Sequence, residues 1–339
     1  MNDDLVQELM EWHFGENGSR FWRETVLPFD PRKDVRTVED LRLFPDLSEH
    51  WRTTPVRDLV PAGASGYVRV FESGGTTGSP KRIVESSFCR ETYPWLSSLL
   101  NVHGTPRSGD WLLLGPTGPH IVGYSIGGLA HHRGSLCHFV DLDARWVKTC
   151  IRAGDFVTVG KYVEHVLDQA VDVLSTQDIR VLVSTPPILE AICKRPAARD
   201  LVQEKVRAII WAGTSTSRES LRLLEEEIFP DAALIGMYGN TMGGVSLQRP
   251  RVPEDTEPCV FQTFQPNCIV ELLSPDGDLV EYGQRGRVRS TVLCRDYFMP
   301  NVMERDTALR IAPVADFPWD GVADVRPPED GPVVVEGVY

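Results

Sequence analysis

A strand–helix–strand–helix–strand pattern in the middle third of the chain constrains the fold more than any other feature. Short apolar runs at 181–184, 206–212 and 233–237 alternate with helical segments at 188–194 and 216–229. Apolar runs of this length, bounded by turn residues, are typical of strands buried on both faces. Strands that are joined through helices by short links run parallel, so the pattern predicts an α/β fold with a parallel sheet. We expect functional residues where these strands end.

The chain after residue 250 changes to short predicted strands. Between two of them, Ser274-Pro275-Asp276-Gly277 predicts a turn, because proline fixes φ and glycine accepts the left-handed conformation. We therefore predict an α/β core over residues 1–248, a β-rich subdomain over 249–325 and a stiff tail over 326–339. Within the core, Thr216 and Glu219 predict a capping box at the start of a helix.

Composition and charge exclude several classes of protein. The chain has 339 residues, 42% of them hydrophobic and 24% charged, which is ordinary for a globular protein. Its net charge of −13 argues against a nucleic acid or an anionic membrane as the main partner. No run of about 18 apolar residues and no signal peptide are found, so we expect a cytoplasmic enzyme. The seven cysteines lack paired spacing, which favours reduced thiols over disulfides or zinc ligands.

A glycine-rich segment follows the apolar run 67–71. It reads Glu72-Ser73-Gly74-Gly75-Thr76-Thr77-Gly78-Ser79-Pro80-Lys81. Glycines let backbone N–H groups converge on an anion, hydroxyl groups add neutral donors, and a lysine ammonium suits a phosphate. A flexible surface turn would also account for this composition. Two other nucleotide loops are excluded, because a Walker P-loop requires Gly-Lys-Ser/Thr entering a helix and a Gly-x-Gly-x-x-Gly pattern is absent.

This segment resembles the phosphate loop of the adenylate-forming enzymes, the superfamily of acyl-CoA synthetases, peptide-synthetase adenylation domains and luciferases. That loop reads Ser/Thr-Ser-Gly-Ser/Thr-Thr-Gly-x-Pro-Lys, and this chain departs from it mainly by one extra glycine. Residues 38–45 are similar to a segment of the phenylacetate–CoA ligase branch, and the doubled glycine resembles phenazine-antibiotic adenylating proteins. The resemblance implies parallel sheets with helices plus a smaller distorted β-barrel. The implied phosphate-binding residues are Ser73, Gly74, Gly75, Thr76, Thr77, Gly78 and Lys81.

An apolar run at 111–114 predicts a buried strand, and a stretch rich in glycine and proline leads from it to His120. In the superfamily this position holds an aromatic residue or a histidine that lines the acyl pocket and gates the carboxylate. The resemblance therefore implies a catalytic role for His120, with Tyr124, Gly127 and Gly128 in the pocket wall. A loop histidine satisfied by backbone groups would have the same sequence, and this alternative stays open.

Two further strand ends resemble nucleotide-binding motifs of the superfamily. Gly213-Thr214-Ser215 stands in the place of a Gly-Gly-Ala/Glu-Pro turn, whose backbone faces the adenine and the acyl group. Tyr238-Gly239-Asn240-Thr241 resembles the Tyr-Gly-x-Thr-Glu motif. The resemblance implies that Tyr238 packs on the adenine and that Gly239 and Asn240 reach its edge. It also implies that Thr241 binds the α-phosphate and that Gly213 borders the acyl pocket.

The glutamate of that motif, which orients Mg²⁺ in the superfamily, is Met242 in this chain. A thioether is a poor ligand for a hard cation, which takes oxygen ligands. ATP and Mg²⁺ are the implied cofactors. The cation would then need water, phosphate and another carboxylate, or the adenylation step would be weak. The sequence leaves the metal ligands unknown.

The charged stretch 303–307 stands where the superfamily has Tyr-Arg-Thr-Gly-Asp, whose aspartate binds both ribose hydroxyl groups. The best match is Asp306, although the motif's glycine is missing and a solvated surface acid would look the same. A carboxylate suits this task because it accepts from two adjacent O–H groups. Farther on, Asp320-Gly321-Val322-Ala323-Asp324 resembles the hinge before the superfamily's lysine-bearing C-terminal domain, which we expect this chain to lack.

The resemblance implies ATP-dependent activation of a carboxylic acid, which attacks the α-phosphate to give an acyl-adenylate and pyrophosphate. We expect an aromatic acid, a role in secondary-metabolite biosynthesis, and transfer of the acyl group to an amine, a carrier protein or a reductase. One alternative is a catalytically weak or inactive fold that binds a ligand or partner. Another is a ligase completed by a separately encoded C-terminal domain. The sequence also leaves a homodimer open and does not identify the acid.

Overall fold

The computed structural model describes residues 2–74 and 79–328 of the chain. A 3₁₀ turn spans Glu39–Leu43 and a π-helical segment spans Leu223–Ile228. The α-helices of these ranges are α1 Asn2–Phe14, α2 Arg20–Glu24, α3 Pro31–Asp34, α4 His50–Thr53, α5 Val56–Leu59, α6 Phe88–Val102, α7 Ile121–His132, α8 Ala144–Arg152, α9 Phe156–Thr176, α10 Pro186–Lys194, α11 Pro196–Lys205 and α12 Arg218–Arg222.

The strands outnumber those expected from the sequence. They are β1 Arg69–Glu72, β2 Arg82–Glu85, β3 Asp110–Gly115, β4 Cys137–Asp141, β5 Ile179–Ser184, β6 Ala208–Trp211, β7 Ala233–Asn240, β8 Gly244–Leu247, β9 Val260–Phe261, β10 Cys268–Leu273, β11 Arg285–Leu293, β12 Phe298–Ile311 and β13 Gly321–Arg326.

The chain forms two compact units. Within the described ranges, the first unit contains the residues up to Thr92 together with Gly239–Gly244 and Gln262–Pro328. The second unit contains Tyr93–Tyr238 and Val245–Phe261. Each unit therefore combines segments that are distant in the sequence. The division at residues 248 and 325 that the sequence suggested stays a prediction.

The second unit is built on the predicted parallel sheet. Its strands lie in the order β4-β3-β5-β6-β7-β8, and β3 pairs in parallel with both β4 and β5. The pairs β5–β6 and β6–β7 are also parallel. Nearly every residue of β3, β5 and β6 is buried, as expected for strands covered by helices on both faces. Burial of each large apolar side chain stabilises this sheet by about 1.5–3 kcal/mol.

The start of α12 differs from the sequence prediction. Ser217, and not Thr216, is the N-cap residue, and its Oγ accepts from the backbone N of Ser220 at 3.0 Å. The predicted capping box of Thr216 and Glu219 is therefore wrong. Adjacent hydroxyl residues are equally able to cap a helix, and the backbone at Ser217 has the extended conformation that this position requires.

The first unit holds the β-rich part of the chain. Strands β10, β11, β12 and β13 pair antiparallel in that order, with register shifts between β11 and β12 and between β12 and β13 that bend the sheet. The predicted turn after β10 is confirmed: the N–H of Gly277 donates to the carbonyl of Ser274 at 3.0 Å, and Gly277 has a φ of +90°. These strands form a curled half-barrel.

An aromatic cluster joins the amino-terminal helices to β12 inside the first unit. The ring of Phe298 lies 5.2 Å from Trp22 and 5.0 Å from Phe44, measured between centroids. Beside it, the buried His13 ring contacts the carbonyl oxygen of Cys294 at 2.7 Å. Aromatic pairs at these distances contribute about 0.5–1.5 kcal/mol beyond their burial. The cluster therefore fixes the helices against one face of the half-barrel.

Two expectations about the whole chain can be compared with the structure. In the described ranges no helix is long and apolar enough to cross a membrane. All seven cysteines are free thiols, and four of them are buried. Burial raises the pKa of Cys259 and of Cys268 to about 12, so these two thiols stay protonated at neutral pH.

Candidate functional site

The glycine-rich segment connects two antiparallel strands of the first unit. Glu72 of β1 lies opposite Arg82 of β2, and their side chains form an ion pair of 2.9 Å. Next to this pair, the N–H of Ser73 donates to the carbonyl of Lys81 and Oγ of Ser73 accepts from the N–H of Lys81, both at 2.9 Å. Both ends of the segment are therefore held together. The predicted phosphate ligands Gly75, Thr76, Thr77 and Gly78 lie outside the described residues and remain predictions.

Gly74, the last described residue before that gap, lies in open space. A Cβ built there would meet nothing within 4 Å among the described atoms. The described residues therefore leave room for a side chain at this position.

Lys81 closes the glycine-rich segment with a buried side chain, 8% exposed. Its Nζ donates to Oγ of Ser48 at 2.7 Å and lies 3.6 Å from Oε1 of Glu49. The Glu49 side chain is 73% exposed, so solvent screens this ion pair. The structure thus places a lysine ammonium at the base of the segment, oriented mainly by a neutral hydroxyl group.

Asn240 organises the segment that resembles Tyr-Gly-x-Thr-Glu. Its Oδ1 accepts from the backbone N of Met242 at 2.9 Å and of Gly243 at 2.7 Å, which makes a tight turn. In this turn Oγ1 of Thr241 lies 3.5 Å from the carbonyl oxygen of Glu72. The structure therefore brings Thr241 to the strand that leads into the glycine-rich segment, although the two are far apart in the sequence.

The other end of the Asn240 amide contacts an acid that the sequence did not single out. Nδ2 of Asn240 donates to Oε1 of Glu304 at 3.0 Å, and Oγ of Ser290 donates to the same oxygen at 3.0 Å. Burial raises the pKa of Glu304, while the hydrogen bond from Ser290 and the positive charge of Lys81 lower it. The second oxygen, Oε2, accepts no hydrogen bond from the described residues.

Asp306, the predicted ribose ligand, lies two residues beyond Glu304 on β12 and is partly buried. Its Oδ1 is 3.5 Å from the guanidinium of Arg305. Its charge helps to raise the pKa of Glu304, so the two carboxylates act on each other electrostatically. The structure therefore brings Asp306 and Glu304 into one electrostatic environment inside the first unit.

Asp46 is a further acid that sequence reasoning missed. Its two oxygens accept from the backbone N of Ser48 at 2.8 Å and of Met303 at 3.0 Å. These bonds fix Ser48, the partner of Lys81, against β12. The sequence contains the signal of an Asp-x-Ser turn, but nothing local shows that Asp46 also contacts a strand 257 residues away.

A divalent cation beside the turn at Asn240 would need oxygen ligands from the surrounding side chains. Met242 is 5% exposed and its carbonyl accepts from Oη of Tyr297, so its side chain belongs to the core and offers a cation no oxygen. Within residues 2–74 and 79–328 no three acidic, histidine or cysteine side chains are arranged to hold a metal. Glu304 supplies one carboxylate beside Asn240. This set fits Mg²⁺ bound through a carboxylate together with phosphate and water, as is common in nucleotide sites.

The predicted acyl-pocket residues lie in the second unit. His120 is the N-cap residue of α7, after the carboxyl end of β3, and its backbone N donates to the carbonyl of Thr117 at 3.2 Å. Tyr124 and Gly127 are three residues apart on α7, which puts these two on one helix face. A Cβ at Gly127 would lie 2.8 Å from Cζ of Phe139 on β4, so only a glycine allows that ring to pack this closely.

The predicted adenine-binding residues of the second unit follow the next strands of the same sheet. Gly213 comes after β6 with a φ of +94°, a conformation that favours glycine, and Thr214 and Ser215 continue toward α12. Tyr238 lies on β7, and its ring is 5.8 Å from that of Phe261. Because β3, β6 and β7 are parallel, these residues and His120 belong to one edge of the sheet. Gly239 belongs to the first unit and is exposed.

No protein-family model matches the chain, and no curated protein matches it either. The chain is similar in structure to an open conformation of 2-hydroxyisobutyryl-CoA ligase in complex with 2-HIB-AMP and CoA, with a TM-score of 0.67, 13% identity and 95% of this chain covered. The same ligase in the postadenylation state with 2-HIB-AMP gives a TM-score of 0.66, 13% identity and 97% coverage. The ATP-bound RpMatB-BxBclM chimera B1 gives a TM-score of 0.50 and 15% identity, with 75% of this chain covered.

The match covers 72% and 67% of the length of the two ligase chains and 46% of the chimera. At these identities the likeness concerns the fold. It confirms the predicted fold class, a parallel sheet with helices together with a smaller curled antiparallel sheet, as a fold that this chain shares with the ligase.

Proposed function

We propose that this protein activates a carboxylic acid with ATP, forming an acyl-adenylate and releasing pyrophosphate. The observation that carries the proposal is the position of Thr241, whose Oγ1 lies 3.5 Å from the carbonyl of Glu72 at the entrance to the glycine-rich segment. Two sequence motifs that resemble phosphate-binding elements are thus adjacent in one compact unit. The fold, which the chain shares with a ligase solved with its acyl-AMP, supports the same reaction.

In this mechanism the carboxylate attacks the α-phosphate, and the protein contributes position and charge. The backbone N–H groups of the glycine-rich segment and the Lys81 ammonium stabilise the triphosphate, and Thr241 donates to the α-phosphate. Such preorganised donors act most strongly on charge that develops in the transition state. Mg²⁺, when bound, supplies further neutralisation of the phosphate charge. In the first unit Asp306 accepts from the ribose hydroxyl groups, and Gly239 and Asn240 are proposed adenine contacts. In the second unit the proposed adenine contacts are Gly213, Thr214, Ser215 and Tyr238.

The acid that we propose is bulky and aromatic. We assign the acyl pocket to His120, the N-cap residue of α7, and to Tyr124 and Gly127 on that helix, because an aromatic and a histidine ring offer flat apolar surface. The acyl group then passes to an amine, a carrier protein or a reductase, in secondary-metabolite biosynthesis. A thiol such as CoA joins this group of acceptors because a similar structure contains CoA.

Acid-dependent exchange of pyrophosphate into ATP tests the reaction. We expect exchange with at least one member of a panel of aryl acids, and loss of at least about tenfold in rate for Lys81→Ala, because a charge-assisted contact to phosphate is removed. Lys161→Ala is the matched control, since that lysine is exposed on α9. Wild-type protein that binds ATP but shows no exchange with aryl or alkyl acids would overturn the proposal.

A binding module without catalysis is the second candidate. Met242 favours it, because a buried thioether stands where the resembling motif has its metal-binding carboxylate. This candidate predicts that ATP or AMP raises the melting temperature while no exchange occurs with any acid, alone or with an added partner protein.

A further inference from the structure

The carboxylate of Glu304 is held in an unusual way. Both of its hydrogen bonds from the described residues reach one oxygen, Oε1, and both come from neutral groups, the amide of Asn240 and the hydroxyl of Ser290. No arginine or lysine of the described ranges forms an ion pair with it. A partly buried carboxylate without a paired cation is unfavourable. The site therefore favours a positive charge brought by a ligand.

The two neighbouring acids are held differently. Asp46 uses both oxygens to accept backbone hydrogen bonds, and Asp306 lies 3.5 Å from the guanidinium of Arg305. Oε2 of Glu304 accepts no hydrogen bond from residues 2–74 or 79–328. Oε2 is held in place because Oε1 of the same carboxylate is hydrogen-bonded. Such an oxygen is suited to bind a hard cation.

Asn240 also connects Glu304 to the backbone of Met242. A single side chain bridges them: Asn240 accepts from the N–H of Met242 at 2.9 Å and donates to Glu304 at 3.0 Å. The amide of Asn240 therefore holds both the backbone of residue 242, where the resembling motif has its glutamate, and the carboxylate of Glu304. The same turn carries Thr241.

We infer that Glu304 supplies the carboxylate ligand for the divalent cation that accompanies ATP, in place of the glutamate that Met242 replaces. This inference rests on the proposed function, because the cation is bound together with the nucleotide phosphates. Asn240 and Ser290 orient the carboxylate and are positioning residues. The remaining cation ligands are phosphate and water oxygens.

The test compares ATP binding with and without the cation. Isothermal titration calorimetry of ATP is carried out in EDTA and in excess Mg²⁺, and Mn²⁺ binding to the protein–ATP complex is followed by electron paramagnetic resonance. The proteins are wild type, Glu304→Gln, Glu304→Asp and the control Glu281→Gln, whose parent side chain is exposed in the same unit. Melting temperatures without ligand show that each variant is folded.

Mg²⁺ is expected to tighten ATP binding by at least about tenfold in wild type and in Glu281→Gln, since loss of metal-site groups typically costs 10–100-fold. In Glu304→Gln this gain falls below about twofold and the Mn²⁺ affinity of the protein–ATP complex falls by at least about tenfold, whereas Glu304→Asp keeps part of both. Equal cation gains in wild type and Glu304→Gln, or an unchanged Mn²⁺ affinity in Glu304→Asp, would overturn the inference. Wild type that binds no ATP in either condition would instead overturn the proposed function.

Discussion

Replacement of Asn240 tests the hydrogen-bond network of the first unit, because the two ends of its amide have different tasks. Oδ1 accepts from the N–H groups of Met242 and Gly243, and Nδ2 donates to Glu304. Asn240→Asp keeps the acceptor and exchanges the donor for a second carboxylate oxygen. Asn240→Ala removes all three hydrogen bonds. The first variant therefore isolates the contact with Glu304.

The expected cost of Asn240→Asp follows from the 3.0 Å between Asn240 and Glu304. Two negative charges at about this distance repel by roughly 5 kcal/mol at an effective dielectric constant of about 20. The two carboxylates relieve part of this repulsion when one of them binds a proton. An ordinary aspartate has a pKa of about 3.9, and protonating it costs about 1.4 kcal/mol for each pH unit by which the solution pH exceeds that value. The cost near pH 7 is thereby limited to about 4 kcal/mol. Because the folded-state pKa of the pair is raised, the destabilisation decreases as the pH falls.

Urea titrations of wild type, Asn240→Asp, Asn240→Ala and Asn240→Asp/Glu304→Gln give the free energies of unfolding. We expect Asn240→Asp to lose about 2–4 kcal/mol near pH 7 and less than about 2 kcal/mol near pH 5, and the double variant to lack this pH dependence. Asn240→Ala should lose about 2–4 kcal/mol at both pH values, since it leaves backbone N–H groups unpaired. A loss of unfolding free energy in Asn240→Asp that is equal at both pH values, or that persists in the double variant, would contradict the hydrogen bond between Asn240 and Glu304.

Three further predictions concern stability. Asp296 accepts from three consecutive N–H groups at the start of α6. Asp296→Ala should therefore lower the free energy of unfolding by about 2–4 kcal/mol. A loss below about 0.5 kcal/mol would contradict the stabilising role of these three hydrogen bonds. Burial lowers the pKa of His13 to about 4, so the folded state binds a proton at this ring less readily than the unfolded chain. As the pH falls from about 6.5 to 4, up to about 3 kcal/mol of stability is therefore lost. A pH profile of the free energy of unfolding that His13→Gln leaves unchanged would contradict this. A Cβ at Gly128 would lie 2.0 Å from Oη of Tyr93, whereas one at Gly160 of α9 would meet nothing within 4 Å. Gly128→Ala should therefore lower the melting temperature, and Gly160→Ala should add up to about 1 kcal/mol of stability. Equal shifts in the melting temperature of the two variants would contradict the close packing of Tyr93 on Gly128.

The parallel sheet could be predicted because its central strands are continuous apolar runs. Such runs at β3, β5 and β6 are separated by helices, and both features are local in the sequence. The edge strand β4, Cys137–Asp141, mixes polar and apolar residues because one side of it is not covered, so no pattern indicated it. The cap of α12 was placed one residue too early because Thr216 and Ser217 carry equivalent hydroxyl groups.

The candidate site could be predicted only where its residues form a contiguous motif. The flanks of the glycine-rich segment and the turn at Asn240 belong to such motifs, and the structure brings Thr241 and Glu72 together. Glu304 lies in a charged stretch whose members look alike in the sequence. What sets it apart is a hydrogen bond to a residue 64 positions away, and such long-range pairing leaves no local signal.

Attack of a carboxylate on the α-phosphate of ATP can be followed through the fate of the carboxylate oxygen. An aryl acid labelled with oxygen-18 in its carboxyl group is incubated with the protein, ATP, Mg²⁺ and hydroxylamine as acceptor, and the nucleotide and phosphate products are analysed by mass spectrometry. We expect AMP that carries one labelled oxygen, together with unlabelled pyrophosphate. Labelled orthophosphate with ADP, which would mean attack at the γ-phosphate, or AMP without label would contradict it.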